Sequence, residues 1–412
     1  MLPPSVPGHR GARGRGGGLF LLLAAVLLTA SGCSLTGHPS STSSPRVLGE
    51  PKGTALAVGQ PAPSGTGPLG AVSCADPTHC WAVGVTGPNP APAGGTTVIV
   101  ATKDAGKTWE PQQVTGGSTP QLSGISCPTK LACIAVGTNG ASLPGSGVVV
   151  TTQDGGASWA PAVAPSSALT VATVTCTSTA DCTALVSQGT VMWSAHSADF
   201  GQTWQQEGDL PPGFVASGQL LCVAGGTCLV PGYMPTGNGQ GEGAVALSTD
   251  NGQTWALATV PSGIGVLQSV ACTAPSECLV AGSTATTVSD VVPAKSQVLA
   301  STDGGHTWAP AHGPSAVDDV YAMACPSPEQ CAMVGTKWIG FPAIALGAVA
   351  QSIDGGGTFK GSRVAYVPIT LTALACPSTV ACVAVGGDTL ARITLLQPKP
   401  SARSSGTGSA TS

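Results

Sequence analysis

Two sets of residues have types and spacings able to do chemistry. Fourteen of the 15 cysteines form seven pairs with five residues between partners: Cys74/Cys80, Cys127/Cys133, Cys176/Cys182, Cys222/Cys228, Cys272/Cys278, Cys325/Cys331 and Cys376/Cys382. Two thiols at that spacing across a hairpin oxidise readily outside the cytosol. Zinc is the competing chemistry, but a structural site takes four Cys or His ligands, usually from closer pairs. Each pair offers two ligands and no His recurs with it, so seven disulfides are expected, with no metal and no cofactor. The second set follows the first six pairs. It reads Lys103-Asp104-Ala105-Gly106-Lys107-Thr108-Trp109 in one copy and Thr302-Asp303-Gly304-Gly305-His306-Thr307-Trp308 in another. Its acids are Asp104, Asp154, Asp199, Asp250, Asp303 and Asp354, and its closing aromatics are Trp109, Trp159, Trp204, Trp255, Trp308 and Phe359. Asp and Gly also build calcium loops, yet such loops use several oxygen ligands, usually from more than one acid. One carboxylate per copy points to a structural turn: Asp accepts backbone N–H groups, Gly permits positive φ, and the aromatic packs as an apolar plug.

These residues must be positioned by something that repeats. Successive Cys pairs start 46 to 53 residues apart. That period suits a propeller blade or a solenoid turn. Inside one repeat, residues 122–127, 133–137 and 147–152 are short apolar or β-branched runs bounded by Gly and Pro, which read as strands. With the segment after the Asp motif they give four strands per repeat, one propeller blade. Seven Cys pairs imply seven blades, an all-β, seven-bladed β-propeller of four-stranded antiparallel blades over residues 54–397. The last repeat lacks an Asp motif, and an unmatched apolar segment at residues 54–58 precedes the first pair. That segment is expected to complete the seventh blade, which removes the exposed sheet edges.

The motif Thr249-Asp250-Asn251-Gly252-Gln253-Thr254-Trp255 resembles the Asp-box, or BNR repeat, of sialidases, sortilin-type receptors and photosystem II assembly factors. Ala-Val-Gly after the second strand, joined with Asp-Gly-Gly before the Trp, is most similar to the assembly-factor type. The resemblance covers roughly residues 71–392 and implies the propeller fold. Sialidases with this repeat use three Arg, a Tyr/Glu nucleophile pair and an Asp acid/base. Here the propeller holds only Arg363 and Arg392. Tyr233, Tyr321 and Tyr366 therefore lack the Arg set, and no catalytic residue carries over. Other glycosidases need two facing carboxylates, and Glu242, Asp290, Asp318 and Asp319 are spare acids. A glycoside hydrolase of sialidase-like type is thus the alternative to a non-enzymatic binding or assembly module.

The start of the chain supplies an address. Residues 1–32 read as a signal peptide: Arg10, Arg13 and Arg15 precede an apolar run at residues 19–28 that is too short to span a bilayer comfortably. Ala30-Ser31-Gly32-Cys33 resembles the lipobox of bacterial lipoproteins, with Ala30 where such signals usually carry Leu. The resemblance implies acylation of Cys33 and anchoring outside the cytoplasmic membrane. Residues 33–53 are a Ser/Pro/Gly-rich tether and residues 398–412 a disordered tail by composition.

Without the three Arg of residues 1–32, the 15 basic residues fall to 12 against 19 acidic ones, a charge of −7. That balance argues against nucleic acid, which wants a basic stripe. Partners are instead expected to be a protein or glycan of the cell envelope, met by a monomer through its loops. First-to-second and third-to-fourth hairpins share one propeller face, so Cys pairs and Asp-boxes should decorate it together. The opposite face carries the connections that vary most in length, including residues 232–243, 283–297 and 336–347. Surface loops on a rigid scaffold are where binding concentrates. Candidate binding residues there are Tyr233, Asp290, Lys295, Lys337, Trp338 and Phe341. Asp318, Asp319 and Tyr321 join them from the connection before the sixth Cys pair.

Overall fold

The computed structural model describes residues 57–64, 66–85, 97–115, 120–139, 146–237, 240–284, 295–339, 344–363 and 370–398. Cys33, Asp290, Phe341 and Tyr366 lie outside them, as do the signal peptide, the tether and the tail. The described strands form seven antiparallel sheets. In chain order, blade 2 shows the pattern: Gln121–Ser126, Cys133–Thr138, Gly147–Thr152 and Ala160–Ala162 pair as consecutive neighbours. Its two middle strands are buried on both faces. Ile134, Ala135 and Val136 are solvent-free, and every residue of Gly147–Thr152 is buried. A strand sandwiched between two other sheets reads as a continuous apolar run rather than an alternating one, which explains Val148-Val149-Val150.

The other blades span residues 69–112 (blade 1), 170–209 (blade 3), 215–257 (blade 4), 267–311 (blade 5) and 319–363 (blade 6). Blade 7 is composite. Ala373–Ala375, Ala381–Gly386 and Thr389–Thr394 supply three strands, and Ala57–Pro61 pairs with the last as the outer strand. The expected closure therefore occurs, with the closing strand running on to Pro61 rather than ending at residue 58. Seven apolar clusters lie one at each blade–blade junction. The junction of blades 7 and 1 is among them, where Val383, Val385 and Leu390 meet Leu69, Val72 and Val100. Burying one Val or Leu contributes about 1.5–3 kcal/mol, so each junction outweighs any single polar contact.

The seven disulfides join the expected partners, one per blade: Cys74–Cys80, Cys127–Cys133, Cys176–Cys182, Cys222–Cys228, Cys272–Cys278, Cys325–Cys331 and Cys376–Cys382. In one respect they differ from the expectation that Cys pairs decorate a face. The second cysteine of each pair is buried, and Cys80, Cys133, Cys182, Cys228, Cys331 and Cys382 are solvent-free. Each stands at the start of the second strand of its blade, or one residue in from it, where neighbouring blades cover both sides of the sheet. Cys80 packs with Leu69 and Val383, Cys182 with Ile134 and Val149, Cys228 with Leu185 and Phe214, and Cys382 with Val334 and Val349. These second sulfurs are core atoms in the junctions between blades, while the first Cys of six pairs, all but Cys127, is half-buried, so each bridge runs from the core towards the surface.

The Asp-boxes and the Cys hairpins do share one end of the ring, as expected. In blade 2 the Gly155 N–H of the Asp-box donates to Leu131 O of the Cys hairpin at 2.9 Å, and in blade 6 Gly355 N–H donates to Glu329 O at 2.9 Å.

Two segments expected as loops are strand instead. Residues 232–243 belong largely to an extended hairpin, Thr227–Gly237 against Gln240–Ser248, and residues 336–347 to another, Cys331–Ile339 against Ile344–Ser352. Tyr233, Trp338 and Ile339 favour strand, so each ladder continues past the point where the repeat ends it. Asp319 and Tyr321 likewise sit in the first strand of blade 6, Asp319–Ala324, rather than in the connection before it.

Candidate functional site

The Asp-boxes are closed structural units. In blade 1, Thr102 Oγ1 donates to Asp104 Oδ1 at 2.8 Å and accepts Gly106 N–H at 2.9 Å. Thr108 donates twice to the carboxylate, from N–H at 2.9 Å and from Oγ1 at 2.6 Å. The same set recurs around Asp154, Asp199, Asp250, Asp303 and Asp354. Donors from Thr108, Ser158 and Thr307 hold Asp104, Asp154 and Asp303 down at about 2, because hydrogen bonds to the ionised form favour it. Three of the closing aromatics reach the preceding blade by hydrogen bond. Trp159 Nε1 donates to Gln112 Oε1 at 2.8 Å, Trp204 Nε1 to Val163 O at 2.9 Å and Trp255 Nε1 to Ser194 Oγ at 3.1 Å.

On the other face, six of the nine candidate residues come together at blades 5 and 6. Lys337 Nζ donates to Asp318 Oδ1 at 2.7 Å and to Ser315 O at 2.9 Å. Trp338 donates its backbone N–H to Asp318 Oδ2 at 2.9 Å and its indole Nε1–H to Asp319 Oδ2 at 2.7 Å. Hydrogen bonds to a carboxylate are stronger than neutral ones, so Asp318 pins the extended hairpin to the connection from blade 5 and Asp319 pins it to the first strand of blade 6. Asp319 is buried, and burial raises its carboxyl above the usual range against the pull of the indole N–H. Burial also raises the Tyr321 phenol, with the charge of Asp319 adding to it. Lys295 faces Lys337 and Asp318 across a groove of about 290 Å³ between blades 5 and 6. Tyr233 does not join this cluster. It belongs to blade 4 and lies over Gly241 of its own hairpin, where a Cβ would come within 2.2 Å of Tyr233 Cδ2. The spare acid Glu242 accepts Gly263 N–H at 3.0 Å and so fastens the turn ahead of blade 5.

A feature at the centre of the ring leaves little mark on the sequence. The first strand of five blades carries a β-bulge, with Gly70, Ser123, Ala172, Gln268 and Tyr321 skipped by the ladder. All five line one cavity of about 440 Å³, together with Ser217 of blade 4 and Thr372 of blade 7. All seven blades contribute to this wall, so it is the central channel. Its lining comes mainly from the starts of the first strands, the end opposite the Cys hairpins and Asp-boxes. In blade 4 the first strand is broken between Val215–Ala216 and Leu221–Val223, and the cavity widens there to reach Leu185 and Met192 of blade 3. A trace of the bulge was present in the sequence. The carbonyl beside it lies over the Gly of the second-strand motif: a Cβ on Gly137 would sit 1.8 Å from Gln121 O, and one on Gly335 1.8 Å from Asp319 O. The Gly paired with the residue before the bulge in blades 1, 2, 5 and 6 is an imprint of it, whereas blade 3 carries the bulge with Val186 there.

Residues 173–337 match the family model of the BNR repeat-like domain. No curated protein matches the chain in sequence. Among solved structures, YCF48 bound to a D1 peptide is similar with a TM-score of 0.57 at 17% identity, covering 83% of this chain and 97% of that one. YCF48 from Cyanidioschyzon merolae gives 0.55 at 14%, covering 82% and 99%. The GH74 xyloglucanase from Xanthomonas campestris gives 0.53 at 14%, covering 81% of this chain and 52% of its own. At such identities the likeness is one of fold alone.

Proposed function

We propose that this protein is a non-enzymatic binding scaffold, held outside the cytoplasmic membrane through acylated Cys33. It presents the channel-mouth face to a protein or glycan of the cell envelope. The observation that carries this reading is the division of labour between the two faces. The Asp-box carboxylates are consumed by their own turns, whereas the mouth face gathers Lys295, Asp318, Asp319, Lys337, Trp338 and Tyr321 around a groove and a channel. The wall of that channel offers hydroxyl, amide and main-chain groups, which is the chemistry of recognition by hydrogen bonding. That YCF48, a propeller of the same fold, is bound to a D1 peptide supports a protein segment as one class of partner.

The test is cross-linking on intact cells followed by pull-down, with the wild type and a Lys337→Ala/Trp338→Ala variant of unchanged thermal stability. The reading expects a defined cross-linked partner that the variant loses. A wild-type protein that captures nothing, or a variant that captures the same partner equally well, overturns it. Cys33→Ala should release the protein from the membrane fraction, and continued retention would refute the anchor.

A further inference from the structure

The bulge ring has a chemical character of its own. A β-bulge re-aims a side chain out of the regular alternation of its strand. Here five blades spend a bulge on the same level of the channel, and all five skipped residues face one cavity. Among the described residues, every side chain lining it is uncharged. Its polar groups include the hydroxyls of Ser123, Ser217 and Thr372, which donate to Ala172 O, Leu267 O and Val385 O and so present acceptor lone pairs, together with the Tyr321 hydroxyl and the amides of Gln219 and Gln268, which can donate and accept. The small residues stand on blades 1 to 3 and the large ones, Gln268 and Tyr321, on blades 5 and 6. The cup is therefore lopsided, with one aromatic wall. Where blade 4 breaks its strand, Leu185 and Met192 add an apolar alcove.

A charged ligand, including either terminus of a peptide, would lose its hydration here without meeting a counter-charge, which is costly. A ligand that both donates and accepts from many hydroxyls while offering an apolar C–H face matches the cup on both counts. Its volume lies within the range of small-molecule sites. We infer that the bulge-lined cup at the channel mouth binds a neutral saccharide of one or two rings, with Gln268 and Tyr321 as its principal contacts. The inference rests on the reading of this face as the recognition face and names the ligand class of its centre.

The test is calorimetric titration of the purified protein with N-acetylglucosamine, mannose, galactose and trehalose, with glucuronate and N-acetylneuraminate as charged counterparts. At least one neutral sugar should bind, and the charged sugars should bind at least about tenfold more weakly, the cost of one uncompensated polar mismatch. Gly70→Phe should abolish binding by filling the cup. A Cβ at Gly70 meets nothing within 4 Å, so the substitution starts without a clash at the backbone. Tyr321→Phe should weaken binding about tenfold through loss of one hydroxyl contact. Silence with all four neutral sugars, equal binding of the charged ones, or undiminished binding by a folded Gly70→Phe each overturns the inference. Partner capture on cells by Gly70→Phe separates the two readings: capture retained without sugar binding leaves the scaffold standing and removes the cup alone.

Discussion

Gln351 Oε1 accepts the backbone N–H of Leu396 at 2.7 Å, across the junction of blades 6 and 7. Blades 1 to 6 each close on an Asp-box aromatic. Blade 7 has no Asp-box, and the segment after its third strand takes that place. Leu395 is buried in the cluster shared with Ala332, Val334 and Val349, while Gln330 Nε2 donates to Leu396 O at 2.8 Å and to Thr379 O at 2.9 Å. Both glutamines are buried. Their amides hold the end of the last blade where the other blades use a Trp or Phe.

This clamp should be worth more than its size suggests, because cutting one side leaves a buried polar group unpaired. Gln351→Ala and Gln330→Ala should each lower stability by about 1–3 kcal/mol. The two act on the same residue, so the double variant should be non-additive in a mutant cycle. Denaturant unfolding of the four proteins measures it. Additive losses would show that the two amides act independently.

The crosslinks make a second expectation quantitative. Each disulfide joins residues six apart, and in the chain-entropy model a ring that short contributes about 2 kcal/mol. Replacing Cys272 and Cys278 together by Ala should cost at least that much and leave the propeller folded; Ala avoids placing a hydroxyl at buried Cys278. Intact mass should rise by fourteen hydrogens on full reduction of the seven bonds. A smaller rise would mean free thiols in the native protein. Because Cys80, Cys182, Cys228 and Cys382 are solvent-free, reduction should also need denaturant to reach completion.

Acid should act through the Asp-boxes. Asp104, Asp154 and Asp303 sit at about 2 in the fold against an ordinary 3.8. A depressed carboxyl contributes stability that is complete above the ordinary value and is lost as pH falls through the folded one. The melting temperature should therefore hold above about pH 4 and fall steadily towards pH 2. Asp319 works in the opposite sense, since burial favours its protonated form. Asp303→Asn should flatten the acid slope and Asp319→Asn should not. An unchanged slope in Asp303→Asn would detach acid sensitivity from the boxes.

Much of this was legible because one pattern is written seven times. Paired Cys at fixed spacing and one Asp-box per repeat give blade number, disulfide partners and the shared end of the ring, since each signal is local and each repetition supports the others. Burial of the second Cys was not legible from spacing, because it depends on the neighbouring blades that cover its strand. Ring closure was legible from what the last repeat lacks. The mouth cluster was half legible: Asp318, Asp319, Lys337 and Trp338 were visible as unusual residues, but their pairing depends on a hairpin that outgrows the repeat. The bulge ring was not legible. A skipped residue is a property of register between two strands, and Gly70, Ser123, Ala172, Gln268 and Tyr321 share no chemistry that would mark them as equivalent. Only the glycines opposite four of them record it, and in blade 3 that position is Val186.

Those close approaches lead to a graded prediction on three glycines. Gly305, in the Asp-box of blade 5, has φ +92, and a Cβ there would come 2.6 Å from Leu229 Cδ2 of blade 4. Gly263 has φ +77 with nothing within 4 Å, and Gly70 has neither strain nor contact. Gly70→Ala should thus be near neutral. Gly263→Ala should cost about 1 kcal/mol from backbone strain alone. Gly305→Ala should cost about 2–4 kcal/mol, as strain and overpacking against the neighbouring blade add. The difference between the last two isolates the contact between blades, and Leu229→Ala in the Gly305→Ala background should recover part of it by opening the space. If Gly305→Ala proves no worse than Gly263→Ala, the Asp-box turn stabilises its own blade and does not act as a wedge between neighbours.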